Sequence, residues 1–165
     1  MRVTLEVATP DDAAQIARLR NEVADRLTRE HGTGHWSHES TETGVRSCMR
    51  RSRVYAAWHD RRIVATLMLQ TTKPWAIDRR YFAEVRRPLY LLSMAVAADL
   101  HGQGIGRQCL DEARAIARRW PADAICLDAY DAKAGAGEFY RKCGYQEVGR
   151  AVYRGTPLIY YQLLL

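Results

Sequence analysis

The sequence predicts an α+β fold: one mixed sheet of about seven strands, mainly antiparallel, with one parallel pair. Three observations carry that expectation. Leu89 to Val96 is a nearly continuous apolar run, the pattern of a strand buried on both faces, and a helix and a second strand, Ala124 to Tyr130, follow it. A strand, right-handed crossover and strand makes those two run parallel. Arg53 to His59 and Ile63 to Leu69 flank the tight connection Asp60-Arg61 as a hairpin, and Gln146 to Tyr153 pairs with Leu158 to Leu164 across Arg154-Gly155-Thr156-Pro157.

The remaining elements follow in order. Val3 to Ala8 alternates enough to be a first strand, and Thr9-Pro10-Asp11-Asp12 reads as a helix start, with Thr9 as cap and two carboxylates in the first turn. Ile16, Leu19, Val23 and Leu27 then recur at helical spacing, and this helix is expected to end near Glu30. His31 to Ser37 is a polar loop, Glu42 to Arg53 a second, more polar helix, and Gln70 to Pro88 a long insertion read as a lid or a wall of a binding site. Pro121 breaks the helix before Ala124, Ala136 to Cys143 is a short helix, and Gly144 is its stop.

The chain of 165 residues is expected to form a single domain, 1–165. Charged residues make up 27% and hydrophobic residues 47%, and no apolar run approaches the roughly 18 residues of a membrane span. The N-terminus lacks the apolar core of a signal peptide, so the expected location is the cytoplasm. Cys48, Cys109, Cys126 and Cys143 are scattered, with no metal-ligand spacing; four reduced thiols and no metal are expected, a disulfide being the alternative. The net charge of +6 arises from 22 Arg against 3 Lys. These Arg are spread along the chain, which favours a solvated basic surface over nucleic-acid binding.

Between the strand ending at Val96 and the helix after it lie three glycines within five residues, Gly102-Gln103-Gly104-Ile105-Gly106. Glycines let a ligand approach the backbone, and the first turn of a helix offers N–H groups with no internal partner, reinforced by the positive end of the helix dipole. Such a junction suits a phosphate, and Arg107 stands where a side chain could add to the contact. No Lys-Ser/Thr pair follows, which excludes a P-loop, and the dinucleotide fingerprint would need its third glycine at Arg107.

His101-Gly102-Gln103-Gly104-Ile105-Gly106 does fit a different pattern: it resembles the acyl-CoA pyrophosphate loop of the GNAT superfamily of N-acyltransferases, with His101 where Arg or Gln is usual. Ala136-Gly137-Glu138-Phe139-Tyr140-Arg141-Lys142-Cys143-Gly144-Tyr145 resembles the second signature of the same family. The resemblance implies a splayed parallel central pair of strands, helices on both faces of the sheet, and acetyl-CoA as co-substrate.

By position in the family, the backbone of Met94, Ala95 and Val96 would meet the pantetheine arm. His101, Gly102, Gln103, Gly104, Gly106 and Arg107 would hold the pyrophosphate, and Lys133 would contact pantetheine or phosphate or else be solvated. Tyr140 would be the general acid that protonates the departing thiolate; apart from the resemblance it reads as a packed ring. The implied reaction is acetyl transfer from acetyl-CoA to a primary amine by direct attack through a tetrahedral intermediate, with a backbone N–H at Met94 or Ala95 as oxyanion donor. The alternative is a non-catalytic acyl-CoA sensor of the same fold.

The acceptor, a small-molecule amine or a peptide, stays open. His31, His35, Trp36 and His38 are pocket residues by position or else an ordinary surface loop. Leu91, Leu92 and Ser93 offer no carboxylate on the central strand, which leaves Glu84, Asp128 and Asp131 as bases, or an amine that arrives neutral.

Overall fold

A computed structural model describes residues 1–165. The strands are β1 (Leu5–Val7), β2 (Arg53–His59), β3 (Arg62–Gln70), β4 (Pro88–Val96), β5 (Ala124–Tyr130), β6 (Gln146–Tyr153) and β7 (Thr156–Leu164), and the helices are α1 (Ala13–His31), α2 (Glu42–Met49), α3 (Ile105–Arg119) and α4 (Gly137–Lys142). The strands form one sheet in the order β1-β2-β3-β4-β5-β7-β6. β4 and β5 are parallel; β1 with β2, β2 with β3, β5 with β7 and β6 with β7 are antiparallel. The mixed sheet and its parallel pair are as the apolar runs predict. The residues group into two compact units, Met1–Leu69 with Ser93–Ala113 and Gln70–Leu92 with Arg114–Leu165.

In the first unit, Thr9 opens the chain into α1 through a 3-10 turn, its N–H donating to Asp12 Oδ2 at 2.7 Å. α1 buries Ala13, Ile16, Ala17 and Leu19, while Val23 and Leu27 are half-buried. Asn21 holds the segment before α2 with both ends of its amide, donating to the Ser40 carbonyl at 2.9 Å and accepting from the Ser40 N–H at 2.7 Å. α2 is shorter than its sequence predicts. It ends at Met49, where the N–H groups of Arg51 and Ser52 turn back to the Cys48 carbonyl, and Arg53 already belongs to β2. The run Val54-Tyr55-Ala56-Ala57 is fully buried as strand, and burial at those positions outweighs helix propensity at the junction.

Asp60 and Arg61 both have left-handed backbone, with φ of 46° and 62°. That pair of conformations gives a two-residue turn the twist that matches its strands, so the hairpin of β2 and β3 closes without glycine.

In the second unit, side chains opposite each other on β5 and β7 share a face, which sorts the unit into two layers. Ala124 and Cys126 of β5 pack with Leu158 and Tyr160 of β7, Tyr90 and Ile77 in one buried cluster. The other face carries Tyr161, against which α4 packs closely: a Cβ on Gly137 would fall 2.3 Å from the Tyr161 hydroxyl.

The segment 71–87 is a packed strap. Tyr160 donates its hydroxyl to the Ala76 carbonyl and accepts from the Asp78 N–H. The Gln162 amide accepts from the Ala83 N–H at 3.0 Å and donates to the Ala83 carbonyl at 3.3 Å. Phe82 and Tyr81 stack at 5.3 and 5.5 Å from the Tyr160 ring, and Gly149 leaves the space that Tyr81 occupies. Arg87 fastens the end of the strap to Asp123, through its N–H at 2.8 Å and its guanidinium at 3.0 Å.

Candidate active site

The junction after β4 is built by backbone conformation. Ser93 has a φ of +52°, which a non-glycine residue adopts rarely, and its side chain is exposed in the middle of what the sequence reads as a doubly buried strand. Leu89, Tyr90 and Leu91 before it are buried as expected, whereas Met94 and Val96 after it are half-buried. The parallel register of β4 on β5 is Pro88↔Ala124, Leu89↔Ile125 and Tyr90↔Cys126, at the N-terminal end of both strands.

Beyond Val96 the chain makes a 3-10 turn, Ala98–Leu100, anchored by the Ala97 N–H on the Val64 carbonyl at 2.8 Å and by Arg62 on Asp99 at 2.7 Å. The Arg62 guanidinium holds the Asp99 carboxyl below its ordinary range. Gly102 and Gly104 follow with φ of +77° and +79°, and a Cβ on either would project into open space. The ladder of α3 begins with Gln108 donating to the Gly104 carbonyl at 3.0 Å, so the N–H groups of Ile105, Gly106 and Arg107 form its first turn. The three glycines thus have different uses: two turn the chain left-handed, and Gly106 lies inside the helix.

The side chains of this loop point to structural work as well. His101 Nε2 lies 3.1 Å from the Val96 carbonyl, and Gln103 donates to the Asp99 carbonyl at 3.3 Å. The first holds the bend against the end of β4 and the second against the 3-10 turn that follows it. The donor set that suits a diphosphate is therefore main-chain, with Arg107 exposed on the first turn of α3.

Tyr140 is 7% exposed, on the inner side of α4. Its ring centroid is 5.7 Å from that of Tyr145, edge-on, and 6.0 Å from that of Tyr161. Burial, then the nearby Asp128 carboxyl, pushes its phenol well above the usual range, so the hydroxyl keeps its proton at neutral pH. Lys133 is exposed in the loop between β5 and α4.

The three carboxylates differ sharply. Asp131 pairs with Arg150 at 3.3 Å, and Glu84 is exposed on the strap. Asp128 is half-buried on β5 and burial pushes its carboxyl up; the phenols of Tyr130, Tyr140 and Tyr160 are raised chiefly by their own burial, and Asp128 adds to each. Of the four thiols, all free, Cys109 and Cys126 are buried as core. No group of three or more His, Cys, Asp or Glu is placed to hold a metal ion, and no helix is long and apolar enough to cross a membrane.

Sequence reasoning did not anticipate the backbone of Ser93, and on the strap it singled out only Glu84. A serine at a strand position gives no sign of left-handed backbone, and the order of the strap was visible only as aromatic residues, Tyr81 and Phe82, inside an apparent loop.

Against this geometry, known proteins give a consistent answer. Solved structures match over nearly the whole chain: an N-acetyltransferase from Staphylococcus aureus Mu50, at 15% identity and a TM-score of 0.71, with 99% of each chain covered; and a GNAT-family acetyltransferase from Streptococcus agalactiae 2603, at 15% identity and 0.79, covering 99% of this chain and 95% of that one. A third, an acetyltransferase by description from Salmonella typhimurium, was solved with its cofactor acetyl-CoA and matches at 17% identity and 0.71, over 100% and 95% of the two chains. These show a shared fold. No match is found among curated protein sequences. At the level of sequence, the Acetyltransferase (GNAT) domain family matches residues 50–147, more than half of the chain and a span that holds both the glycine turn and Tyr140. The chain belongs to the GNAT family of acetyltransferases.

Proposed function

We propose that the chain transfers the acetyl group of acetyl-CoA to a primary amine by direct attack, in the cytoplasm. The observation that carries the reading is the pair of left-handed glycines, Gly102 and Gly104, leading into the first turn of α3 with open space where side chains would stand. This backbone suits a diphosphate, because three main-chain N–H groups and the helix dipole supply positive character where no Cβ intervenes. Gly102, Gln103, Gly104, Gly106 and Arg107 would hold the pyrophosphate of acetyl-CoA, which brings the activated acetyl group as a thioester.

The backbone of Met94, Ala95 and Val96 would meet the pantetheine arm. Ser93 supports this: a left-handed residue turns the strand at the point where its parallel register with β5 has been left behind. His101, whose ring rests on the Val96 carbonyl, would fix the bend and offer its main chain to phosphate. Lys133 would supply an exposed cation.

Tyr140 keeps its proton at neutral pH and would give it to the departing thiolate. On the acceptor side, a lysine-like amine is only about one part in two thousand neutral at pH 7. Asp128 is the carboxylate best suited to take its proton: Asp131 is paired with Arg150 and Glu84 is exposed on the strap, whereas Asp128 is half-buried on β5 and burial pushes its carboxyl up.

The test is calorimetric titration of CoA into the protein and into Gly104→Ala, followed by thiol release from acetyl-CoA with a panel of amines. Micromolar CoA binding that weakens at least tenfold in the variant is expected, together with amine-dependent thiol release. CoA binding indifferent to Gly104 would refute the assignment of the loop.

A further inference from the structure

Within the second unit, the strap leaves a cavity of about 520 Å³ against the N-terminal ends of β4 and β5. Arg79, Phe82, Glu84 and Val85 line it from the strap, and Tyr90 and Cys126 from the strands. The size is that of a small-molecule site. Its polar groups are few and distinct. Tyr90 is 2% exposed and lines the cavity.

Arg79 forms no ion pair, and its guanidinium lies close enough to act electrostatically on both the Tyr90 phenol and the Cys126 thiol. Arg80, its neighbour, is already bound to Asp78 at 2.6 Å. The Cys126 thiol is pushed up to about 11, chiefly by burial, and stays neutral, so it makes a poor nucleophile. The cavity thus presents the exposed guanidinium of Arg79 and the phenol of Tyr90 beside the apolar Phe82 and Val85, with the carboxylate of Glu84 at the exposed rim.

We propose that this cavity seats the acceptor, and that the acceptor is a small primary amine bearing a carboxylate and an apolar body, as an amino acid does. Arg79 and the Tyr90 hydroxyl bind the carboxylate through charge-assisted hydrogen bonds, and Phe82 and Val85 cover the apolar part. Glu84 adds negative charge at the entrance, which favours a ligand with an ammonium group over a simple anion. Along β5, Asp128 is the next residue after Cys126 on the same face, about 6–7 Å further toward the C-terminal end. The amine of the seated ligand points along β5 to that carboxylate. This inference rests on the acetyl-transfer reading for the word acceptor; the cavity and its ligand class stand without it.

The experiment uses two matched pairs of probes, phenylalanine with phenethylamine and 6-aminohexanoate with pentylamine, titrated calorimetrically into the full chain without acetyl-CoA. At least one carboxylated member binds tenfold or more tightly than its partner. Arg79→Ala abolishes that difference, Tyr90→Phe reduces it severalfold, and both leave CoA binding unchanged. In the thiol-release assay the same substitutions raise KM for the carboxylated amine and leave KM for the simple amine alone. Equal binding of both members of each pair, no binding of any, or an Arg79→Ala protein that discriminates like the parent overturns the proposal. A protein that binds the amino acid through Arg79 yet neither binds CoA nor releases thiol would instead sink the acetyl-transfer reading and leave the cavity assigned.

Discussion

Asp128 and Tyr140 stand on opposite faces of the β5 and β7 pair. Asp128 lies across from Tyr160, on the face covered by the strap, whereas Tyr140 packs on Tyr161, whose partner on β5 is Leu127. In the proposed reaction the two would act on different atoms, Asp128 on the attacking amine and Tyr140 on the departing thiolate, so substitutions at each should be separable.

Tyr140→Phe tests the donor. The ring and its contacts survive, so CoA affinity and the thermal midpoint should change little, while kcat falls about 10²- to 10⁴-fold. Steady-state kinetics beside calorimetry separates this from misfolding. A full-rate variant would return Tyr140 to the status of a packed ring.

Asp128→Asn should trade activity for stability. Burial raises the folded carboxyl above its unfolded value, so the charged form is penalised only in the native state. That penalty is absent below the ordinary carboxylate range and grows as pH rises through the raised folded value. Thermal melts from pH 3 to pH 8 should show the variant matching the parent at the acid end and exceeding it at neutrality, by roughly 2–4 °C for each kcal/mol recovered. A parent that melts higher than the variant at pH 7 contradicts the assignment.

The opposite sign is expected at Asp123. Hydrogen bonds from the Arg87 side chain and backbone hold its carboxyl below the usual range. Its contribution is complete above the unfolded value and is lost as pH falls through the folded one. Asp123→Asn should therefore flatten the acid limb of the stability profile and leave melts below that limb unchanged.

Gly104 can be tested by two substitutions that share a steric position. Alanine at a φ of +79° costs about 1–2 kcal/mol, with no clash to add to it, whereas asparagine tolerates left-handed backbone. Circular dichroism melts should therefore rank the glycine above asparagine and asparagine above alanine. The same order in CoA affinity would tie the loop's conformation to binding.

Gln162→Leu removes both hydrogen bonds to Ala83 and leaves that peptide group facing an apolar side chain. About 1–3 kcal/mol should be lost in urea denaturation. An unchanged midpoint would mean that the strap is not held there.

What the sequence could disclose follows from how each feature is encoded. The parallel pair, the hairpins and the glycine turn were legible because apolar runs and glycines act through local chemistry. Ser93 was not, since its left-handed backbone is imposed by the strand around it rather than by its own side chain. The length of α2 was overestimated because Arg50, Arg51 and Ser52 are polar enough for either state, and the buried run from Val54 decides the boundary. The strap read as a loop because its order comes from Tyr160 and Gln162, some 80 residues away.

That mode of attachment has an evolutionary consequence. Tyr160 and Gln162 grip the strap by its peptide groups, at Ala76, Asp78 and Ala83, while Tyr81 and Phe82 rest on the Tyr160 ring. Residues 79 and 84, exposed on the strap, can therefore drift while the path of the chain is kept. Directed libraries confined to those two codons would sample new specificities on an unaltered scaffold.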